Sequence, residues 1–330
     1  MQTVPLLDHT PETVVILGGG PAGISCALWL KNLGHHPIIL ESGSETGGTP
    51  GQIDRPNRWI AGMPEVTSLD LAKKLQEQCT VSDLQVLTGA KVFSVSCVES
   101  HNFKVTYSTS DGTAEIDCAA VIFANGVRPR SLESVDSKDQ EIHSKNIELD
   151  PLGHLTGRTS HDGERSLVVG GADNAFFTAN DLVNSGANVT LACRSLPKAQ
   201  SLIQSQIKSH VDSGKLRVVQ GSPTSFRQTG SSVEVEMSGL TESFTLEVDK
   251  VYLRLGFTPR FEGLKEILEN LKLTMDQQGF PQLDSEGRWC SRGIYCCGDL
   301  NRHEVSAVVS SLAGGAQVAK TVEYDLRRSK

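Results

Sequence analysis

Gly18-Gly19-Gly20-Pro21-Ala22-Gly23 follow the spacing G-x-G-x-x-G. In that spacing the first glycine permits a tight turn and the second lets backbone approach a pyrophosphate. The third lets a helix pack close to a strand. The diphosphate then rests on unpaired N–H groups at the helix start, at the positive end of the dipole. Glu41 stands 18 residues past Gly23, where a carboxylate accepts hydrogen bonds from a ribose. A second turn, Gly170-Gly171-Ala172-Asp173-Asn174-Ala175, repeats the pattern with one change. Ala172 stands where the second glycine belongs, and its Cβ would press on an approaching diphosphate.

These residues need elements to hold them, and the surrounding pattern supplies the elements. Val14–Leu17 reads as a short β-branched strand, Ala22–Leu33 as an amphipathic helix closed by Gly34, and Pro37–Leu40 as the next strand, ending at Glu41. The same strand–turn–helix–strand order recurs from Ser166 to Arg194, with strands at Leu167–Val169 and Val189–Ala192. A βαβ unit repeated at that distance predicts two nucleotide-binding domains, not a solenoid. Between them the pattern predicts a helix at Leu69–Gln78 and strands at Leu84–Leu87, Val92–Ser96, Phe103–Tyr107 and Val121–Ala124. Ser131–Arg165 is polar and poorly periodic and reads as a crossover. Leu202, Ile203, Ile207 and Val211 recur at helical spacing. Strands follow near Leu216–Val219, Val233–Val235, Phe244–Val248, Val251–Leu255 and Ile294–Cys297, and a long helix from Glu304 to about Leu326 comes last.

Composition narrows the class. The 330 residues carry 31 basic and 39 acidic side chains, a net charge of −8, which argues against nucleic-acid binding. No apolar run approaches the roughly 20 residues of a membrane span, and the first residues lack the pattern of a signal peptide. Eight cysteines are scattered without a Cys-x-x-Cys pair. They read as reduced thiols of a cytoplasmic protein, with neither a disulfide framework nor a zinc ribbon. His154, His161 and His303 lack metal-ligand spacing, so no metal is expected; His35 and His36, opening a strand, are read as solvent-facing.

Over nearly its whole length the chain resembles the pyridine nucleotide-disulfide oxidoreductases, and among them the small thioredoxin-reductase-like branch. Besides the first glycine turn, the resemblance rests on Gly51-Gln52 preceded by Gly47-Gly48, on Ile60-Ala61-Gly62-Met63-Pro64 and on Ala124-Asn125-Gly126. It extends to Gly256-Phe257-Thr258-Pro259 and to Gly293-Ile294-Tyr295-Cys296-Cys297-Gly298-Asp299. It implies an α/β fold of two Rossmann-like, three-layer ββα domains, the second inserted into the first. The implied FAD domain is 1–122 with 247–330, and the implied NAD(P)-binding-like insert is 123–246. FAD is the implied cofactor, held by Gly18, Gly20, Pro21, Ala22, Gly23, Glu41, Gln52, Val92, Gly126, Gly298 and Asp299. The second turn would hold NAD(P)H or another nucleotide through Gly170, Gly171, Ala172, Asn174, Ala175 and Arg194. An acid at the end of the second strand favours NAD, whereas an arginine pairs with a 2′-phosphate. Arg194 therefore favours NADPH, with Lys198 one turn along. The resemblance also implies a homodimer.

Three departures from the family shape the functional reading. The dithiol that thioredoxin reductases carry before the second glycine turn is absent, since no cysteine lies between Cys118 and Cys193. A disulfide relay needs two thiols that alternate with flavin and partner. Cys296 and Cys297 are the candidate substitute pair, although strand neighbours point to opposite faces; small buried residues are the plainer reading. His-Arg-Arg of the family's NADPH motif is reduced to Arg194 between Cys193 and Ser195. Arg-Gln over the flavin is replaced by Ser306-Ala307, and Tyr324 is left either over a flavin or on the surface. The leading expectation is an FAD-dependent oxidoreductase moving electrons between NAD(P)H and an external carrier, ferredoxin, flavodoxin or a thioredoxin-like protein. The alternatives are a disulfide reductase with displaced cysteines acting on a small thiol, and a flavoprotein not using NAD(P)H, either ferredoxin-driven or a sensor.

Overall fold

The computed structural model describes residues 9–53, 55–99, 102–130, 146–150, 160–289, 293–302 and 305–328. Two compact units emerge, Met1–Val127 with Thr258–Lys330, and Arg128–Phe257.

The first unit is built on a parallel sheet ordered Ile294–Cys296, Ala120–Phe123, Thr13–Leu17, His36–Leu40, Gln85–Leu87. Its central strands are nearly continuous runs of Val, Ile, Ala and Leu, as a sheet covered on both faces requires. Period-two alternation sorts them. Val14 and Ile16 face the helices Pro21–Asn32, Ser68–Val81 and Val308–Arg328, packing with Ile24, Leu30, Val318 and Val322. Val15 and Leu17 face the other way, toward Phe103, Val105 and Trp289. That second face is covered by the antiparallel strands Lys91–Glu99, Asn102–Thr109 and Gly112–Cys118. The layers are therefore sheet, sheet and helix.

Pro21 opens the first helix at its first turn, where its missing N–H costs nothing. The last helix lies against it at backbone distance. Ser25 Oγ donates to the Leu312 carbonyl at 2.7 Å, and a Cβ on Gly315 would collide with the Ala22 carbonyl. At the far ends of the two helices His35 is buried, 4% exposed, and its Nε2 bonds Glu323 Oε2 at 2.5 Å. The expectation of a solvent-facing His35 is thus wrong, while His36 is exposed. The side chain turns inward because Glu323 and the Glu12 N–H, 3.3 Å from Nδ1, satisfy both ring nitrogens.

The second unit repeats the design. Its parallel sheet is ordered Leu216–Gln220, Asn188–Cys193, Arg165–Val169, Lys250–Leu253, Ile147–Glu148. Val168 and Leu191 face the helix Asp173–Asn184 through Phe176, Ala179 and Leu182. Leu167 and Val169 face the antiparallel strands Ser222–Thr229, Ser232–Ser238 and Ser243–Val248.

The division of the chain differs from 122/123 and 246/247. Ala120–Phe123 pairs with Thr13–Leu17 in the first sheet, so the chain leaves that unit after it. Val251–Leu253 pairs with Leu167–Val169, so that strand belongs to the second unit. Glu304–Leu326 shortens at its start to Val308, where Ser310 Oγ accepts the Ala307 N–H at 3.1 Å. The helix expected through Val211 breaks into Ser201–Gln206 and Lys208–Asp212. The crossover at 131–145 and 151–159 lies outside the described residues, as do Cys290, His154 and His303.

Candidate functional site

The first glycine turn lies at the carboxyl edge of the first sheet, between Thr13–Leu17 and Ala120–Phe123. Gly18 has φ +112, and a Cβ on it would lie 2.6 Å from the Ala124 carbonyl oxygen. A Cβ on Gly23 would run into the Gly18 carbonyl. Both glycines serve packing. Gly20 is different: it is extended (φ −80, ψ −177) and caps the helix without a side-chain bond. A Cβ there would meet nothing closer than Gly48 Cα at 3.9 Å. The space before Gly20 is open, beside helix N–H groups that have no intrahelical acceptor. That is the shape a diphosphate fills.

Other residues converge on the same edge. Glu41 is pinned, its Oε2 accepting from Gly19 N–H at 2.7 Å and its Oε1 from Gly43 N–H at 2.6 Å. Each oxygen keeps lone-pair capacity toward a ribose. Gly48 (φ +62) closes over Gly20, and Gly51 and Gln52 follow in the short turn Thr49–Gln52. Gly298 (φ +74) abuts Ala22, where a Cβ would lie 2.8 Å from the Ala22 methyl. This close approach brings Asp299 to the start of the first helix, and Ser311 Oγ donates to its Oδ1 at 3.4 Å. Val92 lies two residues past Ala90, whose N–H donates to the Glu41 carbonyl at 2.8 Å. Gly126 (φ +68) follows Asn125, whose Cα would be 3.0 Å from a Gly18 Cβ. Asn125 Nδ2 donates to the Arg260 carbonyl, while its buried Oδ1 has no donor among the described residues. An open cradle and an acceptor awaiting a donor fit a dinucleotide such as FAD.

The second turn has the same backbone. Gly170 (φ +151) sits against the Arg254 carbonyl. Ala172 caps the helix Asp173–Asn184 with φ −106 and ψ 177, the extended geometry of Gly20. Ala175 is buried at the third position. The Ala172 methyl is exposed at the mouth, so this cradle is narrower by one methyl. Asp173 in the first turn is engaged by Gln200, whose N–H donates at 2.8 Å and whose Nε2 donates at 2.9 Å. Asn174 is exposed beside it. Arg194 is exposed at the end of Asn188–Cys193, and its guanidinium makes no ion pair among the described residues. Lys198 is exposed nearby, its N–H donating to the Gly171 carbonyl at 2.7 Å. Two cations with no acidic partner among the described residues suit a phosphate there.

Among the described thiols all but the exposed Cys97 are buried. Cys296 packs with Phe123 and Trp289 on one face of the sheet. Cys297 packs on the other with Ile24 and Cys26. Burial, reinforced by Cys297, holds the Cys26 and Cys296 thiols well above their ordinary range. Burial pushes Cys118 up to about 12. A redox dithiol needs an accessible thiolate, and none of these buried thiols offers one. The described residues hold no His, Cys, Asp and Glu group arranged for a metal. Tyr324 is 46% exposed, with the Arg328 guanidinium 4.3 Å from its ring centroid.

Sequence reading missed Ser311, Asn125 Oδ1 and Arg254. Only Arg254 carried a signal, a charge inside the apolar run Val251–Leu255.

Comparison with known proteins agrees with this geometry. The profile of the pyridine nucleotide-disulphide oxidoreductases matches residues 12–316. One component of the alkyl hydroperoxide reductase of Staphylococcus epidermidis is 25% identical over 327 residues, covering 97% of this chain and 60% of that protein. The chain thus spans about 60% of that relative's length. A ferredoxin–NADP reductase of Thermus thermophilus is 27% identical over 306 residues, 89% of this chain and 85% of the relative. In structure, Lactococcus lactis thioredoxin reductase superimposes with a TM-score of 0.80 at 21% identity, covering 97% of this chain and all of that one. No described helix is long and apolar enough to cross a membrane. The profile match covers most of the residues and both glycine turns: the chain belongs to the pyridine nucleotide-disulphide oxidoreductase family.

Proposed function

We propose that the protein is an FAD-dependent oxidoreductase that draws electrons from NADPH and passes them to an external carrier, of the ferredoxin, flavodoxin or thioredoxin-like kind. The observation that carries this reading is the second cradle. It repeats the backbone of the first, and it ends in an arginine that no acid among the described residues engages. Bound FAD supplies the redox chemistry, accepting a hydride and releasing electrons. The chain binds and orients it: Gly18 to Gly23 receive the diphosphate, Glu41 the ribose, and Asp299, fixed by Gly298 and Ser311, the remaining part. Gly170, Gly171, Ala172, Asn174 and Ala175 receive the coenzyme diphosphate, and Arg194 with Lys198 its 2′-phosphate. Protein carriers are favoured over a small disulfide because Cys97 is the single exposed thiol among the described residues and the Cys296 and Cys297 side chains diverge.

The test is an anaerobic absorbance titration of the FAD-loaded protein with NADPH, then NADH, then dithionite. NADPH is expected to bleach the flavin band at low excess, and NADH only at a much larger one. Bleaching by dithionite alone overturns the NADPH reading and leaves a ferredoxin-driven or sensing flavoprotein. Uptake well beyond one electron pair per FAD revives a cysteine relay.

A further inference from the structure

Arg254 ends the strand Lys250–Leu253, and its carbonyl touches the Gly170 turn. The sheet order places Asn188–Cys193 on one side of Arg165–Val169 and Lys250–Leu253 on the other. A dinucleotide lies across the crevice where the strand order reverses. Arg194 fixes the adenosine half on the Asn188–Cys193 side. The other half, which carries the redox ring, therefore belongs on the side that Arg254 ends.

Arg254 is 6% exposed. Its Nε donates to Thr178 Oγ1 at 2.9 Å, and its Nη1 to the Leu253 and Glu148 carbonyls at 3.1 and 3.3 Å. Nη2 is buried with no acceptor among the described residues. All three acceptors are neutral. The Glu148 carboxylate is committed elsewhere, accepting the Asp150 N–H at 2.9 Å and facing Lys250 Nζ at 3.9 Å. Burial lowers the Arg254 pKa to about 10, against the pull of Glu148, Asp150 and Tyr252, so the group stays charged at neutral pH. A charge held in a poorly polarisable place, with no ion pair among the described residues, acts strongly on what binds beside it.

Oxidised and reduced nicotinamide differ by one positive charge on the ring. We propose that Arg254 makes the second cradle selective for redox state, holding the neutral reduced coenzyme and disfavouring the cationic oxidised one, so that product leaves once its hydride is gone. This rests on the reading of the second cradle as an NADPH site and adds a role that Arg194, at the opposite end, cannot perform.

The test is calorimetric titration of the FAD-loaded, oxidised protein with NADP+ and with the redox-inactive tetrahydronicotinamide analogue of NADPH. The wild-type protein is expected to bind the neutral analogue about tenfold more tightly than NADP+. Arg254→Met is expected to bring the two dissociation constants to within about twofold of each other, while Arg254→Lys, which keeps the charge, preserves most of the gap. A thermal melt of each variant reports its folding. Equal affinities in the wild-type protein overturn the proposal whatever the variants do, and so does an unchanged ratio in folded Arg254→Met. Binding of neither ligand overturns the NADPH reading itself, and this inference with it. Binding of both at one affinity overturns only the role of Arg254.

Discussion

Gly18 and Gly20 lie two residues apart, and a methyl group would harm them in different ways. At Gly18 it meets the Ala124 carbonyl at 2.6 Å on a backbone of φ +112. Gly18→Ala is therefore expected to destabilise the fold by about 2 kcal/mol or more, read as a lowered denaturation midpoint. At Gly20 the methyl finds room, with Gly48 Cα 3.9 Å away. Gly20→Ala is expected to leave stability nearly unchanged and weaken FAD binding about tenfold, measured by flavin fluorescence on reconstitution. Ala172 already carries that methyl in the second cradle. Ala172→Gly is expected to tighten binding of the redox-inactive NADPH analogue by up to about tenfold, seen in the same calorimetric titration. These roles were largely legible from type and spacing, because a glycine turn constrains backbone through its own residues. Asn125 was not legible as an orphaned acceptor. Its Oδ1 is isolated by the Arg260 carbonyl, a partner 135 positions away in the chain.

The elements were legible where their periodicity is strong. Thr13–Leu17 and Arg165–Val169 are apolar because both faces are covered. Ser222–Thr229 escaped notice because Phe226 is its only fully buried residue, and Gly112–Cys118 because nearly all of it faces solvent. Backbone pairing with a neighbour holds such strands, and pairing leaves little trace in composition. The contact between the first and last helices was equally invisible, although Ser25 and Gly315 create it. Gly315→Leu is expected to cost about 3 kcal/mol and to lower FAD content, since the last helix holds Ser311 against Asp299. At the other end of that contact, burial tends to raise the Glu323 carboxyl, but bonds from His35 and Arg327 outweigh it and hold it below its ordinary range. A carboxylate depressed in the folded state adds stability above its unfolded pKa, and loses it as pH falls through the folded value. The wild-type protein is therefore expected to lose stability below about pH 4.3 more steeply than Glu323→Gln, measured by denaturation across pH.

At the scale of the molecule, each unit has its own pair of hydrophobic clusters, one on each face of its parallel sheet. Two unfolding transitions are the expected calorimetric result, and excess FAD should move only one of them. FAD at about 100 times its dissociation constant adds about 2.7 kcal/mol to the unit that binds it. NADPH should move the other. A single transition displaced by both ligands would show that the units unfold together. The two-domain plan was readable from the repeated glycine turns. The crossing points were not, because Ala120–Phe123 and Lys250–Leu253 read alike as buried strands and only pairing assigns each to its sheet.

The first unit draws strands from both sides of the insert, and this reverses the usual order in which domains mature during translation. Arg128–Phe257 leaves the ribosome as a continuous stretch able to close its own sheet. The earlier segment must wait for Ile294–Cys296 and for the helix that ends at Arg328. At ordinary elongation rates that wait is about 4 to 14 s. For that interval Val14, Ile16 and the first helix lack their final cover, and Asp299 has not joined the cradle. The nascent chain therefore holds a finished Arg128–Phe257 unit before it can take up flavin, and its aggregation-prone period falls on the half that was synthesised first.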